Sequence, residues 1–300
     1  MSKRKIFVLT CLFTSTLLLF TACHNTREPI QLSLNPTAGN VYLYRIVVDM
    51  SMTGIENGRE QHLSNEMDLR IKMTAKESND DEVQFEVAFQ SLAIESSNLR
   101  TPWLDISINT EDFFDEDPAT LSEEELEWYE IGKERIMTFL MPMTVTFVPD
   151  GSVRSIDMEE INNRINSWHS EEPGFVQAFL NENFIKEILE AMFRIFPNNE
   201  VRIGDNWSSG NRSPAFPDVT ILNTLASISG NNALIGMSVP KIEEEIGSLE
   251  FSVDIKGEIE IDIHTGMIIQ SNLEGKILFV DELGENKGEG VVRQAITLEQ

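Results

Sequence analysis

The alternation of apolar and polar residues along this chain is the feature that most constrains its fold. In the longest run, residues 247–264, almost every second side chain is apolar and most of those between are charged. The apolar members are Leu249, Phe251, Val253, Ile255, Ile259, Ile261 and Ile263. A period of two places them on one face of a strand, so the run predicts a half-buried antiparallel β-strand. A strand this long has to bend, and Gly257 on its apolar face permits a sharp curve.

The same alternation recurs throughout the chain. Residues 41–50, 63–75 and 83–89 alternate and are separated by turn-forming residues, which predicts a three-stranded meander. Further strands are predicted over 144–148, 153–156, 219–228, 233–239, 267–280 and 291–298, which makes about ten strands. Because these strands are apolar on one face only, something must cover that face of the sheet.

Helical signals lie in the middle of the chain. Ser122 and Glu125 have the spacing of a capping box, and a short helix is predicted over 158–168. Asn181 can cap a strongly amphipathic helix that ends before Pro197. A two-sheet sandwich would leave these helices without a partner. We therefore predict an α+β fold, an open curved antiparallel β-sheet (half-barrel) wrapped around central helices.

The N-terminus has the pattern of a bacterial lipoprotein signal. Lys3, Arg4 and Lys5 precede an apolar run over residues 6–20, and small residues lead into Cys23. The run is too short for a comfortable membrane span. By resemblance to bacterial lipoproteins, cleavage before Cys23 leaves that residue lipidated at the new N-terminus, so Cys23 is the predicted lipidation site. An ordinary cleaved signal with an incidental cysteine is the alternative.

Three segments are predicted. Residues 1–22 are the lipoprotein signal peptide, residues 23–40 are the lipidated cysteine and a flexible tether, and residues 41–300 are a single α+β half-barrel domain. The tether assignment rests on a polar composition that includes Pro29 and Pro36.

The charge of the chain bounds its partners. Loss of the three basic residues in the signal leaves 20 basic against 50 acidic residues, a net charge of −30. So negative a surface repels nucleic acid, which excludes that class of partner. Cys11 is lost with the signal and Cys23 would be lipidated, so the folded domain is predicted to be stable without a disulfide.

Several short motifs carry a family resemblance. They are residues 147–153 (FVPDGSV), 201–207 (VRIGDNW) and 262–266 (DIHTG), together with an apolar helix that ends in Phe196 and Pro197. With the lipoprotein signal, they resemble bacterial lipoproteins of the domain of unknown function 6263 family. More distantly, the predicted layout is similar to the half-barrel of periplasmic lipoprotein carriers. That resemblance implies an apolar groove for acyl chains under the helices, and no functional residue is carried over from either family.

The residues that carry common enzyme chemistry are missing from the pattern. The mature chain has no Gly-x-Ser-x-Gly elbow and, apart from Cys23, no cysteine. His62, His169 and His264 share no ligand spacing, so we predict no metal site, no cofactor and no enzymatic activity. Residues 111–130 contain ten carboxylates, which favour a solvated acidic loop leading into a helix, with calcium binding as the alternative.

The candidate ligand-binding residues are apolar. They are Phe184, Ile188, Met192, Phe193 and Trp207. The first four form a helical stripe that is first of all a core stripe, and the functional alternative is that part of it lines an acyl-chain groove with methionine as an adaptable wall. Trp207 is interpreted as a structural tryptophan that closes one end of the sheet, with ligand stacking as its alternative.

These observations predict a membrane-anchored envelope lipoprotein that binds an apolar or lipidic ligand in a cleft between sheet and helices. The alternative is a structural or assembly partner of a cell-envelope protein complex, with the acidic surface providing specificity. An unrecognised hydrolase is the third reading. We expect attachment to the outer membrane facing the periplasm, with the cell surface as the other orientation. The sequence leaves the ligand, the protein partner and the oligomeric state open.

Overall fold

The computed structural model of the protein describes residues 28–56, 59–79, 81–98, 106–115, 117–168, 180–211, 219–246, 249–281 and 287–299. The strands are β1 (Val41–Glu56), β2 (Arg59–Ser78), β3 (Val83–Asn98), β4 (Ile106–Asn109), β5 (Met143–Phe147), β6 (Val153–Asp157), β7 (Asn206–Asn211), β8 (Val219–Ser229), β9 (Asn232–Ile246), β10 (Leu249–Asp262), β11 (Ile268–Asp281) and β12 (Lys287–Glu299). The helices are α1 (Glu123–Phe139), α2 (Glu159–Ser167) and α3 (Glu182–Phe193), with two short 3₁₀-helices, Asp112–Asp115 and Pro118–Thr120, before α1. The predicted signal peptide and Cys23 lie outside the described residues.

All of these strands belong to one antiparallel sheet. Its order is β6-β5-β3-β2-β1-β12-β11-β10-β9-β8-β7, and β4 pairs with β3 beside β5. The predicted meander of β1, β2 and β3 is confirmed, and the last strand, β12, returns to pair with the first. Within the described part of the chain β6 and β7 do not pair with each other, so the sheet is open, as the sequence predicts.

Local irregularities interrupt the ladders of the long strands. A Cβ added to Gly257 would lie 2.1 Å from the carbonyl oxygen of Asn272 and 2.5 Å from the Leu273 side chain, so only glycine allows β10 and β11 to approach this closely. The ladder between β9 and β10 also shifts register between Val253 and Ile255, and such bulges increase local twist. The curve predicted at Gly257 therefore coincides with a close backbone approach.

The two ends of the long strands differ in burial. At the end where β1 begins and β2 ends, which we call the proximal end, the inward-facing side chains are fully buried. There the ring of Phe193 in α3 lies 6.0 Å from Tyr44 and 5.6 Å from Phe147, and Phe139 in α1 stacks on Phe89 at 4.7 Å. The opposite end, which carries the β1–β2 hairpin, is the distal end. The predicted sheet wrapped around central helices is therefore confirmed only in part, because the ring contacts of the helices and the buried core lie toward the proximal end.

The helices begin where the sequence predicts. The Ser122 hydroxyl accepts a hydrogen bond from the Glu125 N–H at 3.3 Å, and the Glu125 carboxylate accepts one from the Ser122 N–H at 2.8 Å. Asn181 caps α3 through its side-chain oxygen. Helix α1 is continuous through Gly132, where a Cβ would lie 2.8 Å from the ring of Phe113. Glycine is therefore accommodated inside this helix because an aromatic ring packs against it.

The predicted tether over residues 23–40 is partly wrong, because its second half belongs to the folded structure. Leu32 and Leu34 are each only 1% exposed, and Ile30 forms a β-bridge with Val201. Residues 30–36, which we call the N-terminal strap, therefore cross the proximal end, and order begins before β1. The polar and proline-rich composition suggested a linker, but two leucines spaced two residues apart are enough to bury one side of a short extended segment.

Candidate functional site

The inward face of the sheet continues beyond the core that the helices cover. On β1, Tyr44 is 0% exposed and Ile46 is 2% exposed, whereas Val48, Met50 and Met52 on the same face are half-buried. The change occurs within one strand of unbroken alternation. A sheet face that is apolar but no longer covered by the core is therefore present toward the distal end.

Neighbouring strands extend this surface sideways. Met50 lies opposite Val292 on β12, and Val292 lies opposite Gly275 on β11. Val48 lies opposite Met67 on β2. We call the half-buried apolar side chains that face inward on β1, β2, β10, β11 and β12 the distal apolar face. Its members are Val48, Met50, Met52, Leu63, Met67, Val253, Ile255, Leu273, Ile277, Phe279 and Val292. The amides of Gln61, Asn65 and Gln294 also face inward among them.

Glycines shape the floor of the distal apolar face. A Cβ at Gly288 would lie 2.4 Å from the ring of Phe279, and one at Gly290 would lie 2.8 Å from the side chain of Met52. The larger side chains therefore lie across neighbouring glycines. Such packing of an aromatic ring over a strand glycine restores contact where a side chain is missing. The result is a surface formed by flexible thioethers and the ring of Phe279, which adapts to irregular apolar shapes.

The two faces of the sheet differ in charge. Among the described side chains that face inward on β1, β2, β10, β11 and β12, Arg59 at the distal rim is the only charged one. The outer face carries ion pairs, including Arg45 with Asp68 at 2.6 Å and Arg293 with Asp49 at 3.6 Å. The inner surface can therefore receive an apolar group without desolvating a row of charges.

The residues predicted as ligand contacts lie at the proximal side of this surface. Met192 and Phe193 are both 0% exposed, so they are core residues and present no free surface to a groove. Phe184 and Ile188 are half-buried on α3. The Trp207 indole N–H donates a hydrogen bond to the Ile195 carbonyl at 2.7 Å, and the ring packs partly buried against the core. Cys23 lies outside the described residues.

The distal apolar face did not emerge as a site from the sequence. Met50 and Met67 stand in the alternation that predicts strands, and alternation by itself marks core positions. The lengths that reveal it are structural, because β1 and β2 contain 16 and 20 residues, more than the predicted 41–50 and 63–75, whereas α3 contains 12. At a rise of about 3.3 Å per strand residue and 1.5 Å per helical residue, such strands extend well past such a helix.

Buried polar groups hold the proximal core together. The Tyr44 hydroxyl donates a hydrogen bond to the Ile268 carbonyl at 3.1 Å. Burial raises the pKa of Tyr44 well above its usual value, and repulsion from Tyr42 adds to this. The Glu190 carboxylate accepts a hydrogen bond from the Val153 N–H at 3.0 Å.

Within the described ranges no three histidine, cysteine or acidic side chains are grouped as a metal site would require.

A second concave feature lies on the outer face near the distal end. It is a shallow depression of about 680 Å³. Its lining residues are Thr53, Gly54, Ile55, Glu60, Leu278, Lys287, Gly288 and Glu289. Ile55 and Leu278 are 41% and 51% exposed, which is high for aliphatic side chains. Apolar and charged groups of both signs therefore meet here.

None of the helices in the part of the chain that the structure describes is both long enough and apolar enough to cross a bilayer.

Comparison with solved structures gives matches at low sequence identity. Lipovitellin, in a structure of its lipid–protein interactions, matches with a TM-score of 0.52 and 12% identity, over 88% of this chain and 25% of that chain. This chain thus spans about a quarter of the length of the lipovitellin chain. DynF from Micromonospora chersina has a TM-score of 0.22 at 8% identity, over 91% of this chain and 86% of that chain. OccK5 from Pseudomonas aeruginosa has a TM-score of 0.19 at 7% identity, over 80% of this chain and 61% of that chain. Of these three structures, only lipovitellin has a TM-score high enough to indicate a shared fold.

No curated protein matches this chain significantly. A family match does exist, and it includes all three motifs that carry the resemblance in the sequence, at 147–153, 201–207 and 262–266. The predicted family resemblance is thereby confirmed for this part of the chain. Residues 140–268, from the end of α1 to the start of β11, match the family of unknown function DUF6263.

Proposed function

We propose that this protein is a lipid-anchored protein of the cell envelope that holds an apolar or lipidic ligand against its distal apolar face and catalyses no reaction. The observation that carries the proposal is the continuation of an uncharged, half-buried sheet face past the helix-covered core. In this proposal the sheet forms a half-barrel. Its proximal end is filled by helices and its distal end holds the ligand.

The dimensions of the distal apolar face suit an acyl chain. Val48 to Gly54 covers six residue steps of β1, or about 20 Å at 3.3 Å per residue. One acyl layer of a bilayer occupies about 15 Å, half of the 30 Å hydrocarbon core. The methionines Met50, Met52 and Met67 add the flexible contacts that tolerate variation in chain shape. The lipid–protein interactions named for lipovitellin are those of a protein with a similar fold, and they support a lipidic ligand here as a proposal.

The anchor in this proposal is the lipid on Cys23. Multiple acyl chains on one residue give stable attachment to a bilayer, whereas a single chain does not. We place the protein at the outer membrane facing the periplasm. The experiment is intact mass measurement of the mature protein, where a Cys23→Ser variant should lack the lipid mass and appear in the soluble fraction.

Ligand binding is tested with two adjacent valines on β12. Val292 faces inward opposite Met50, and Val291 faces outward opposite Ser51, while both are half-buried. We expect Val292→Glu to weaken binding of cis-parinaric acid at least about tenfold, because a carboxylate placed against an apolar ligand costs more than 1.4 kcal/mol. Val291→Glu should leave binding within about twofold, a change of under 0.5 kcal/mol.

Two controls complete this test. Thermal unfolding of both variants shows whether either substitution disturbs the fold. Native mass spectrometry of residues 24–300, before and after organic extraction, shows whether a ligand co-purifies. A clean apo mass together with no binding of the fatty-acid probe would rule out the proposed lipid function.

The outer depression supports a second candidate, a structural or assembly partner of an envelope protein complex. Ile55 and Leu278 are exposed beside Lys287 and Glu289, the mixture of apolar and charged groups found at the rim of protein interfaces. Leu278→Asp should abolish recovery of a stoichiometric protein from detergent-solubilised membranes, whereas Val41→Asp should not. Val41 is 52% exposed at the proximal start of β1 and lies outside the depression.

A further inference from the structure

The N-terminal strap fixes where the anchor joins the folded protein. The Leu34 N–H donates to the Pro149 carbonyl at 2.9 Å, and the Asn35 N–H donates to the Thr265 carbonyl at 2.8 Å. A Cβ at Gly266 would lie 2.2 Å from the Ser33 carbonyl, so the strap passes directly over this turn. The chain therefore enters the fold at the proximal end, held by turns that connect β5 to β6 and β10 to β11.

The distal apolar face opens at the opposite end. Strand β1 runs from the strap to the hairpin formed by Glu56 and Arg59. Its fifteen steps from Val41 to Glu56 cover about 50 Å at 3.3 Å per residue. The end of β9, the end of β11 and the start of β12 lie at the same end, since Leu249 lies opposite both Ile246 and Asp281, and Lys287 lies opposite Ile55.

The segment between the anchor and the folded protein is short. Cys23 and Glu28, the first described residue, are five residues apart, and a chain of that length spans at most about 18 Å when fully extended. An inverted molecule, with its distal end in the anchoring bilayer, would hold the strap about 50 Å from that bilayer. The segment cannot cover that distance.

Charge opposes the remaining arrangement, in which the long axis lies flat on the bilayer. The mature chain carries a net charge of −30, and acidic side chains such as Asp49, Asp68 and Glu274 line the outer face among the basic ones. Broad contact with anionic headgroups is therefore unfavourable. An upright molecule touches the bilayer with its proximal end only.

We infer that the distal apolar face opens toward the aqueous side, away from the bilayer that holds the Cys23 anchor, so that an acyl ligand enters from that side and not from the anchoring bilayer. This inference rests on the proposed lipid anchor. It assigns different tasks to the two ends of one sheet. The proximal end is the membrane side, and the distal end is the side of ligand exchange.

The chain offers a direct test because its mature form has no thiol apart from Cys23. His264 is exposed in the proximal turn, and Glu60 is exposed beside the distal hairpin. His264→Cys and Glu60→Cys variants of the full lipidated protein are labelled with a donor fluorophore and inserted into phosphatidylcholine vesicles that contain rhodamine-labelled phosphatidylethanolamine. We expect energy transfer to be several-fold more efficient from position 264 than from position 60.

The outcomes separate the orientation from the proposals beneath it. Equal transfer from the two labels, or stronger transfer from position 60, in a chain whose mass proves lipidation would overturn the orientation. A mature chain with an unmodified Cys23 would overturn both the anchor and the orientation. A lipidated chain with the expected unequal transfer that binds no fatty-acid probe would support the orientation and remove the ligand. The same labels on a Cys23→Ser chain should show no transfer.

Discussion

The N-terminal strap should contribute as much to stability as an element of the core. Leu34 is 1% exposed and lies in the main cluster of buried residues at the proximal end. Truncation of a leucine in such a position removes its apolar contacts and leaves a cavity, at a cost of about 2.7–5 kcal/mol. We expect Leu34→Ala to lower the free energy of unfolding by about 3 kcal/mol. For a domain of this size that corresponds to a fall in Tm of about 6–12 °C.

The assay is urea unfolding of residues 24–300, followed by tryptophan fluorescence and by circular dichroism so that coincident transitions support a two-state analysis. The slope of the free energy against urea should remain unchanged, because the same surface is exposed on unfolding. Gln31→Ala is the matched control, since Gln31 is an exposed member of the same strap. Its effect should stay within about 0.5 kcal/mol.

The result that would refute this reasoning is clear. If residues 30–36 were a flexible tether, Leu34→Ala would match Gln31→Ala within error. A second variant, Leu32→Ala, tests the same claim at an equally buried position. Both losses together would approach about 6 kcal/mol, which is comparable to the total stability of many domains.

Three further predictions concern single side chains. Gly151→Ala should destabilise the protein by about 2–5 kcal/mol, because the site has a φ of +86° and an added Cβ would lie 1.6 Å from the Phe193 carbonyl oxygen. Tyr44→Phe should cost about 1–3 kcal/mol by leaving the buried Ile268 carbonyl without its donor. Because the folded-state pKa of Tyr44 is raised, the unfolded chain loses this proton first, so stability should fall as pH rises above about 10, less steeply in Tyr44→Phe. Ser122→Ala should cost about 1 kcal/mol by removing the capping box of α1.

Matched variants separate the causes in these predictions. Gly39 has the same φ of +86° with nothing within 4 Å of an added Cβ, so Gly39→Ala measures backbone strain alone. Equal losses for Gly39→Ala and Gly151→Ala would contradict the proposed clash. Tyr42→Phe is the control for Tyr44, and an alkaline stability loss that persists unchanged in Tyr44→Phe would assign the titration to another group. Urea unfolding provides the stability measurement, at a single pH for the substitutions and at a series of pH values from neutral to above about 10 for the Tyr44 titration.

Local sequence signals were sufficient to predict the structure wherever that structure depends on neighbouring residues. The capping box at Ser122, the cap at Asn181 and the turn after Asp262 involve hydrogen bonds that span only two or three positions. The alternation along β10 similarly reflects the two faces of a single strand. Such features are visible in the sequence because their causes lie within a few residues.

The candidate site was harder to predict because it depends on what covers a strand and not on what the strand contains. Met50 and Tyr44 follow the same alternation, yet Tyr44 is buried under α3 and Met50 is only half-buried. Met192 and Phe193 were candidates for a groove wall because the sequence cannot tell a stripe that faces other core residues from one that faces a cavity. The distinction requires knowledge of where the helices end along the sheet.

Composition and short residue spacings are enough to predict the one-sided strands, the helix starts, the charge, the family resemblance and the anchor. Packing of the whole chain is needed to show that the first and last long strands pair, that residues 30–36 cross the proximal core, and that an apolar face remains past the helices. These features join residues more than a hundred positions apart. Contacts over such separations depend on the packing of the whole chain, which no local pattern records.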